Sequence, residues 1–188
     1  VISSDHKPYG IHRARQPEWF EDAKKIVCVR KTKYPKFVVV PEPWYGDQAV
    51  LIIRLVKNVH ISPHVLTAVM NSKVAHFYLF QQKRQGNQLQ VDKEVLLHFP
   101  IPKDLLLTRN KAINSELLRL SKQVVNQRKK LESVKNSGTD IFGEKTKKRE
   151  ADIARLKNEI DNLVYKLYGL NKGEIEKVEN LLSALGRE

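Results

Sequence analysis

Sulfur is almost missing from this 188-residue chain, which has one cysteine (Cys28) and one methionine (Met70). A lone thiol excludes an internal disulfide and fits a reducing compartment. Set in Ile26-Val27-Cys28-Val29, it reads as a buried strand residue rather than a nucleophile. No apolar run reaches the ~20 residues that span a bilayer. Val1 to Gly10 is polar and broken by Pro8, unlike a signal peptide. The expectation is a cytoplasmic protein with no membrane partner. Acid is scarce: 21 Asp and Glu stand against 34 Lys and Arg, a formal net charge of +13, so an anionic partner is expected. Low-complexity sequence is absent too, and at 41% hydrophobic residues the chain can build a core. It begins with Val and not Met, so it is expected to be a piece of a longer protein.

Catalytic patterns are lacking as well. No glycine-rich loop follows a strand, which removes the Walker and dinucleotide fingerprints. His60 and His64 have a spacing that suits a metal, but Pro63 lies between them and no Cys or carboxylate is near, so surface or helix-entry roles are expected. Asp92-Lys93-Glu94 lacks the spaced strand carboxylates of a nuclease. Asp92 reads as a helix N-cap and Glu94 as first-turn dipole compensation. A free-standing nuclease would need those acids to hold a metal. The chain itself is expected to be non-catalytic.

What is present divides at Pro102. Before it, Lys25 to Arg30, Phe37 to Val40 and Ala49 to Val56 read as strands, with β-branched residues between proline- and glycine-bearing turns. Trp44-Tyr45-Gly46-Asp47 reads as a turn. Val65, Leu66, Val69, Met70, Val74, Phe77, Tyr78 and Phe80 recur at helical spacing and predict one amphipathic helix of about four turns from His64. A polar loop, Gln81 to Gln88, a short strand around Leu89 and Val91, a short helix from Lys93 to Leu97 and the exit Phe99-Pro100-Ile101-Pro102 follow. After Pro102, Ile113, Leu117, Leu120, Val124, Leu131 and Val134 form one heptad-like stripe, with Gln127 in the open seam position. Ile153, Leu156, Ile160, Leu163 and Leu167 form another. With Lys135 to Glu144 between them, they predict an antiparallel coiled-coil-like hairpin. A glycine cap at Gly169 and a last helix from Asn171 or Lys172 complete the chain. The fold class expected is α+β: a small mixed α/β domain over 1–104, then a helical spacer or dimerising hairpin over 105–188 with a short C-terminal helix.

The charge has a pattern. Between Asp22 and Glu42 there is no acid but six Lys or Arg residues. Lys and Arg neutralise phosphates and release counterions without sequence choice. Choice needs side chains that pair bidentately with base edges: Arg with guanine, Asn or Gln with adenine. The candidate contacts are therefore Arg13 and Arg15 near the start, Arg30, Lys31, Lys33 and Lys36 in a basic turn around Tyr34, and Lys83, Arg84, Gln85, Asn87 and Gln88 around Gly86. Arg128-Lys129-Lys130 and Lys145 to Arg149 read as solvated helix surface with phosphates within reach.

Taken in order, HRARQPEWFEDAKKIVCVRK, FVVVPEPWYGDQAVLIIRL, VLTAVMNSKVAHFYLF, QLQVDKEVLLHFPIP and EIDNLVYKLYGLNKGEIEKVE resemble the TaqI-like C-terminal specificity domain of adenine-specific DNA methyltransferases, including the fused type IIG restriction-methylation enzymes. The middle of the chain is also similar to the target-recognition domains of type I restriction specificity subunits. The most specific parts are Asn71-Ser72-Lys73 with Phe77-Tyr78, the Pro-Ile-Pro exit, and Leu163-Val164-Tyr165 with Tyr168-Gly169-Leu170. The resemblance implies a module that reads double-stranded DNA in a restriction-modification system. It further implies an upstream methyltransferase domain of the same polypeptide, holding S-adenosylmethionine and an Asn-Pro-Pro-Tyr type motif that this chain lacks, with cleavage added in some members. The helices offer a route to a homodimer. The alternative is a helical protein-interaction module with no sequence-specific DNA binding.

Overall fold

β-Branched residues crowd the chain between Ile26 and Ile53, and there the backbone pairs into sheet. The computed structural model describes residues 18–21, 25–40, 43–47, 49–56, 60–82, 88–106, 110–138, 140 and 143–186. A helical turn, α1 (Glu18–Glu21), precedes β1 (Lys25–Val29), β2 (Lys31–Thr32), β3 (Phe37–Val40) and β4 (Val50–Ile53). β1 is the centre of an antiparallel three-stranded sheet in the order β3-β1-β4. Register places Val39, Ile26 and Ile53 in one row and Phe37, Cys28 and Leu51 in the next. All six belong to the core cluster, so the period-2 alternation turns one sheet face inward. The third strand is shorter than Ala49 to Val56, and β1 stops one residue before Arg30.

The helix predicted from His64 to Phe80 is two helices, α2 (Pro63–Met70) and α3 (Lys73–Gln81). The break lies at Asn71-Ser72. Ser72 leaves the helical region (φ −72°, ψ 165°), and its hydroxyl accepts the Ala75 N–H, which makes it the N-cap of α3. Asn71, freed from the helix, aims its amide at the edge of β3: Phe37 N–H donates to Oδ1 at 2.9 Å, and Nδ2 donates to the Phe37 carbonyl at 2.7 Å. A side-chain amide thus imitates a neighbouring strand for one residue. The apolar stripe continues through the break, which is why periodicity alone shows a single helix.

Past the 83–87 segment come β5 (Leu89–Gln90), α4 (Lys93–Leu97) and a further turn, α5 (Lys103–Leu106). Asp92 caps α4 by accepting the Val95 N–H, and Glu94 sits in its first turn. The proline-rich exit is fixed by two tyrosines: Tyr78 donates to the His98 carbonyl at 2.9 Å and Tyr168 to the Pro100 carbonyl at 2.7 Å. Burial lifts the Tyr168 hydroxyl above its ordinary pKa.

The two heptad stripes form α6 (Lys111–Ser137) and α7 (Glu144–Tyr168), which pack on each other as an antiparallel hairpin. Gly138 and Gly169 cap them in left-handed conformation, φ 63° and 66°. Leu117, Leu120, Leu156 and Ile160 are buried in the same cluster as the sheet and α2, so one core runs from β1 to α7. Val164, outside the predicted heptad stripe, is fully buried in that cluster, and Tyr165 beside it packs with Val178 and Leu182 of α8 (Lys172–Ala184). The seam is therefore wider than a two-helix stripe, because α7 faces other elements as well as α6. Asn171 opens α8 with a full capping box to Glu174. The architecture is α+β with a helical C-terminal part, and among the described residues no helix is long and apolar enough to cross a membrane.

If the Asn71 amide is what closes the β3 edge, Asn71→Ala leaves both polar groups of Phe37 without that partner. It should cost about 1–2 kcal/mol, read as a lower urea midpoint at unchanged m. Asn71→Asp keeps the acceptor but loses the donor, and should fall between the two.

Candidate nucleic-acid interface

Arg30 is where the chain changes sheets. Its N–H donates to the Ala49 carbonyl at 2.9 Å, on the β4 side of the large sheet, and its carbonyl accepts the Val91 N–H at 2.8 Å. From there the chain leaves β1 as β2 and pairs antiparallel with β5, Lys31 opposite Gln90 and Thr32 opposite Leu89. Thr32 is 5% exposed and Leu89 fully buried, whereas Lys31 and Gln90 are exposed. Alternation then puts Lys33 and Gln88, each one step further from the buried pair, on the same outward side; both are exposed. Two segments 57 positions apart thus present Lys31, Lys33, Gln88 and Gln90 together.

The turn that follows β2 is anchored by uncharged contacts. Thr32 Oγ1 donates to the Tyr34 carbonyl at 2.8 Å. The Tyr34 ring meets the His76 ring of α3 edge-on, with centroids 5.8 Å apart, and its hydroxyl lies 3.4 Å from the Gly186 carbonyl beyond α8. Lys33 Nζ stands 5.5 Å from the Tyr34 ring centroid, within cation–π range. Lys31 and Lys36 are exposed, and the salt bridges found among the described residues use other cations, at Lys73, Arg119, Lys135 and Arg155. Such a turn can neutralise phosphates without first breaking an ion pair.

Of the residues picked from sequence, the structure brings Lys31, Lys33 and Gln88 to this edge, with the Arg30 backbone at its root; Lys36 is exposed at the far end of the turn, where its carbonyl accepts the Val29 N–H. Arg13, Arg15, Lys83, Arg84, Gln85 and Asn87 lie outside the described residues. Gln90 was not among the candidates, although its alternation with Gln88 around Leu89 is the signal that reveals it. Tyr34 gains a definite role as the anchor of the basic turn.

Behind the interface, α3 is held by a polar cluster. The Lys73 N–H, at the start of α3, donates to Asp161 Oδ1 of α7 at 2.8 Å. Lys73 Nζ pairs with Glu179 Oε2 of α8 at 2.7 Å, and the Tyr165 hydroxyl donates to Glu179 Oε1 at 2.6 Å. These residues, with Asn158 and Asn162, line a polar cavity of about 260 Å³. Burial pushes Asp161 up to about 6 from 3.8; the N–H and charge of Lys73 oppose the shift, and the Glu179 charge adds to it. Burial first, and then its bond to Glu179, raise Tyr165 as well.

Among the described residues, no group of three or more His, Cys, Asp or Glu side chains is placed to hold a metal ion. Cys28 is fully buried in β1, and burial pushes its thiol up to about 12, so it is protonated at neutral pH. His64, in the first turn of α2, has its pKa lowered by burial and then by the charge of Lys122, which would repel a bound cation too. No family model matches this chain, and no curated protein matches it.

The Asp161 shift sets a pH window. Because its folded pKa lies above the unfolded 3.8, the folded chain alone holds the proton between about 4 and 6. The stability this protonation lends is complete below about 4 and lost as the pH rises through about 6. The contribution is at most about 3 kcal/mol. Asp161→Asn keeps an oxygen for the Lys73 N–H without the buried charge. It should be more stable than the wild type above pH ~6 and flatten the dependence between ~4 and ~6, measured by urea titration at stepped pH.

Proposed function

We propose that this chain is a sequence-specific DNA-recognition module, the specificity part of an adenine-specific methyltransferase in a restriction-modification system. The observation that carries the reading is the β2–β5 pairing, which joins the acid-free basic turn to the end of the amide-rich 83–88 segment on one exposed edge. Phosphate and base contacts then have separate owners. Lys31, Lys33 and Lys36 hold the backbone of a duplex, and Gln88 and Gln90 reach base edges beside them, joined by Arg84 and Asn87 on the chemistry of their side chains. The frame behind that edge is packed on α3, which favours pre-organisation of Lys31, Lys33, Gln88 and Gln90 rather than their being gathered at binding.

Methyl transfer belongs, in this reading, to an upstream domain of the same polypeptide with S-adenosylmethionine bound there. This chain carries neither an Asn-Pro-Pro-Tyr motif nor a glycine-rich loop after a strand. Its own share of the activity is to choose the site and hold the duplex in register with the catalytic domain.

Replacing Lys31 and Lys33 by Ala should weaken cognate and random duplexes alike and reduce the slope of log K against log[salt] by about 1–2. Arg84→Ala or Asn87→Ala should instead erode discrimination at one base pair by about 1–3 kcal/mol, with the salt slope changed less. The measurement is a fluorescence-anisotropy titration across a salt series on a panel of single-base variants of the cognate duplex. A wild-type chain that ignores every duplex at low ionic strength would refute the reading.

A further inference from the structure

The recognition edge uses only part of the positive charge. The outer part of the α6–α7 hairpin, residues 125–150, carries eight Lys and Arg against four Asp and Glu. Its position is unlike that of the inner part. Among the described residues, the core cluster takes in nothing of the hairpin beyond Val124 on α6 and Leu156 on α7. Further out, Leu131 and Val134 are only half-buried, and the seam is completed by polar contacts. Arg149 Nη1 donates to Gln127 Oε1 at 2.9 Å, and Lys135 bridges to Glu150 at 3.0 Å. The outer part of α6 alone is about 20 Å long. It stands clear of the body as an arm, and the sheet does not need it for a core.

Two of the arm's eight cations, Lys135 and Arg149, are spent on these internal contacts. Arg128, Lys129 and Lys130 on α6 and Lys145, Lys147 and Lys148 on α7 are exposed. On α7 the pKa of Lys157 is lowered by burial and then by the charge of Arg128, with Asp161 opposing. Clustered positive charge of this kind favours a polyanionic partner. Lipid is a poorer match than nucleic acid. A membrane-surface helix shows a broad apolar face, whereas Val125 is the one large hydrophobic residue exposed among the arm's described residues.

We propose that the hairpin arm is a second, sequence-independent clamp on the DNA backbone, contacting phosphates outside the recognition edge through Arg128, Lys129, Lys130, Lys147 and Lys148. The inference rests on the DNA-recognition reading and extends it. At ~3.4 Å per base pair the arm covers roughly six base pairs of flanking duplex. Contacts of this kind lengthen the footprint and raise affinity for any sequence, and leave the choice of site to the β2–β5 edge.

The test compares the wild type with K129Q/K130Q/K147Q/K148Q on duplexes of about 12 and about 40 base pairs that share one cognate site, across a salt series. On the long duplex the variant should lose about 3 from the slope of log K against log[salt], and at least tenfold in affinity at moderate salt. On the short duplex it should bind nearly as the wild type does, with base preference unchanged on both. The matching Lys→Arg set should behave as the wild type, which separates lost charge from lost fold. If the Gln set keeps the wild-type slope on long DNA while the Lys31/Lys33 variant loses its own, the clamp is refuted and the recognition edge stands. If the wild type binds neither duplex, the recognition reading falls and takes the clamp with it. If the Gln set loses binding to phosphatidylserine vesicles but not to long DNA, the arm is a lipid contact and the proposal is overturned.

Discussion

Three consecutive residues hold the elements of this protein together. At the break between α2 and α3, the Asn71 amide closes on Phe37 of β3, Ser72 caps α3, and Lys73 reaches α7 through its N–H and α8 through its ammonium. A sheet, a helix pair, half of the hairpin and the last helix meet at one non-helical turn. Each contact is a hydrogen bond or ion pair at least partly shielded from water, where an unmade bond costs more than a made one gains. The angle of α3 follows from that turn. From α3 come His76, against which Tyr34 packs, and Tyr78, which fixes the His98 carbonyl near the proline exit. The position of the basic turn is therefore a consequence of a helix break far from it in sequence.

What was legible in the chain followed how local each signal is. Capping chemistry is local, and Asp92, Gly169 and Asn171 do what their residue types imply. The two heptad stripes are local to each helix, and the hairpin forms as they predict. The break at Asn71-Ser72 was hidden because an apolar stripe runs through it unbroken, and its cause is the unpaired edge of β3, 34 positions back. The β2–β5 ladder was hidden for the opposite reason. Each strand is two residues long and half polar, too short for a period to show, and exists only because Arg30 is shared between two sheets. Val164 was missed because a heptad assigns one face to a helix, while α7 serves α6 on one side and the body on another.

The site divides in the same way. The residue types of the candidate edge, lysines in an acid-free turn and Gln88 at the end of an amide-rich segment, were readable from sequence, because a functional group is a local property. Their meeting was not, because it depends on the antiparallel register that sets Lys31 against Gln90. The buried pair Thr32 and Leu89 fixes that register. A slip of one residue would put Lys31 and Leu89 on the same side, burying the lysine or exposing the leucine, so the inner side of this small ladder decides what its outer side offers.

Among the described residues, two sets of cations are told apart by what holds the chain beneath them. Lys73, Arg119, Lys135 and Arg155 are matched to carboxylates and join or steady helices. The lysines of the basic turn have no acid between Asp22 and Glu42 to meet. Their backbone is held by neutral means: a threonine hydroxyl, a tyrosine ring against a histidine, and ladder hydrogen bonds. Fixing a loop with carboxylates would be as easy, but it would cancel the field that the loop projects. An exposed ion pair adds little to stability in any case. Uncharged anchoring leaves the positive charge of Lys31, Lys33 and Lys36 unneutralised by its own supports at little cost in rigidity, an arrangement in keeping with the anionic partner proposed above.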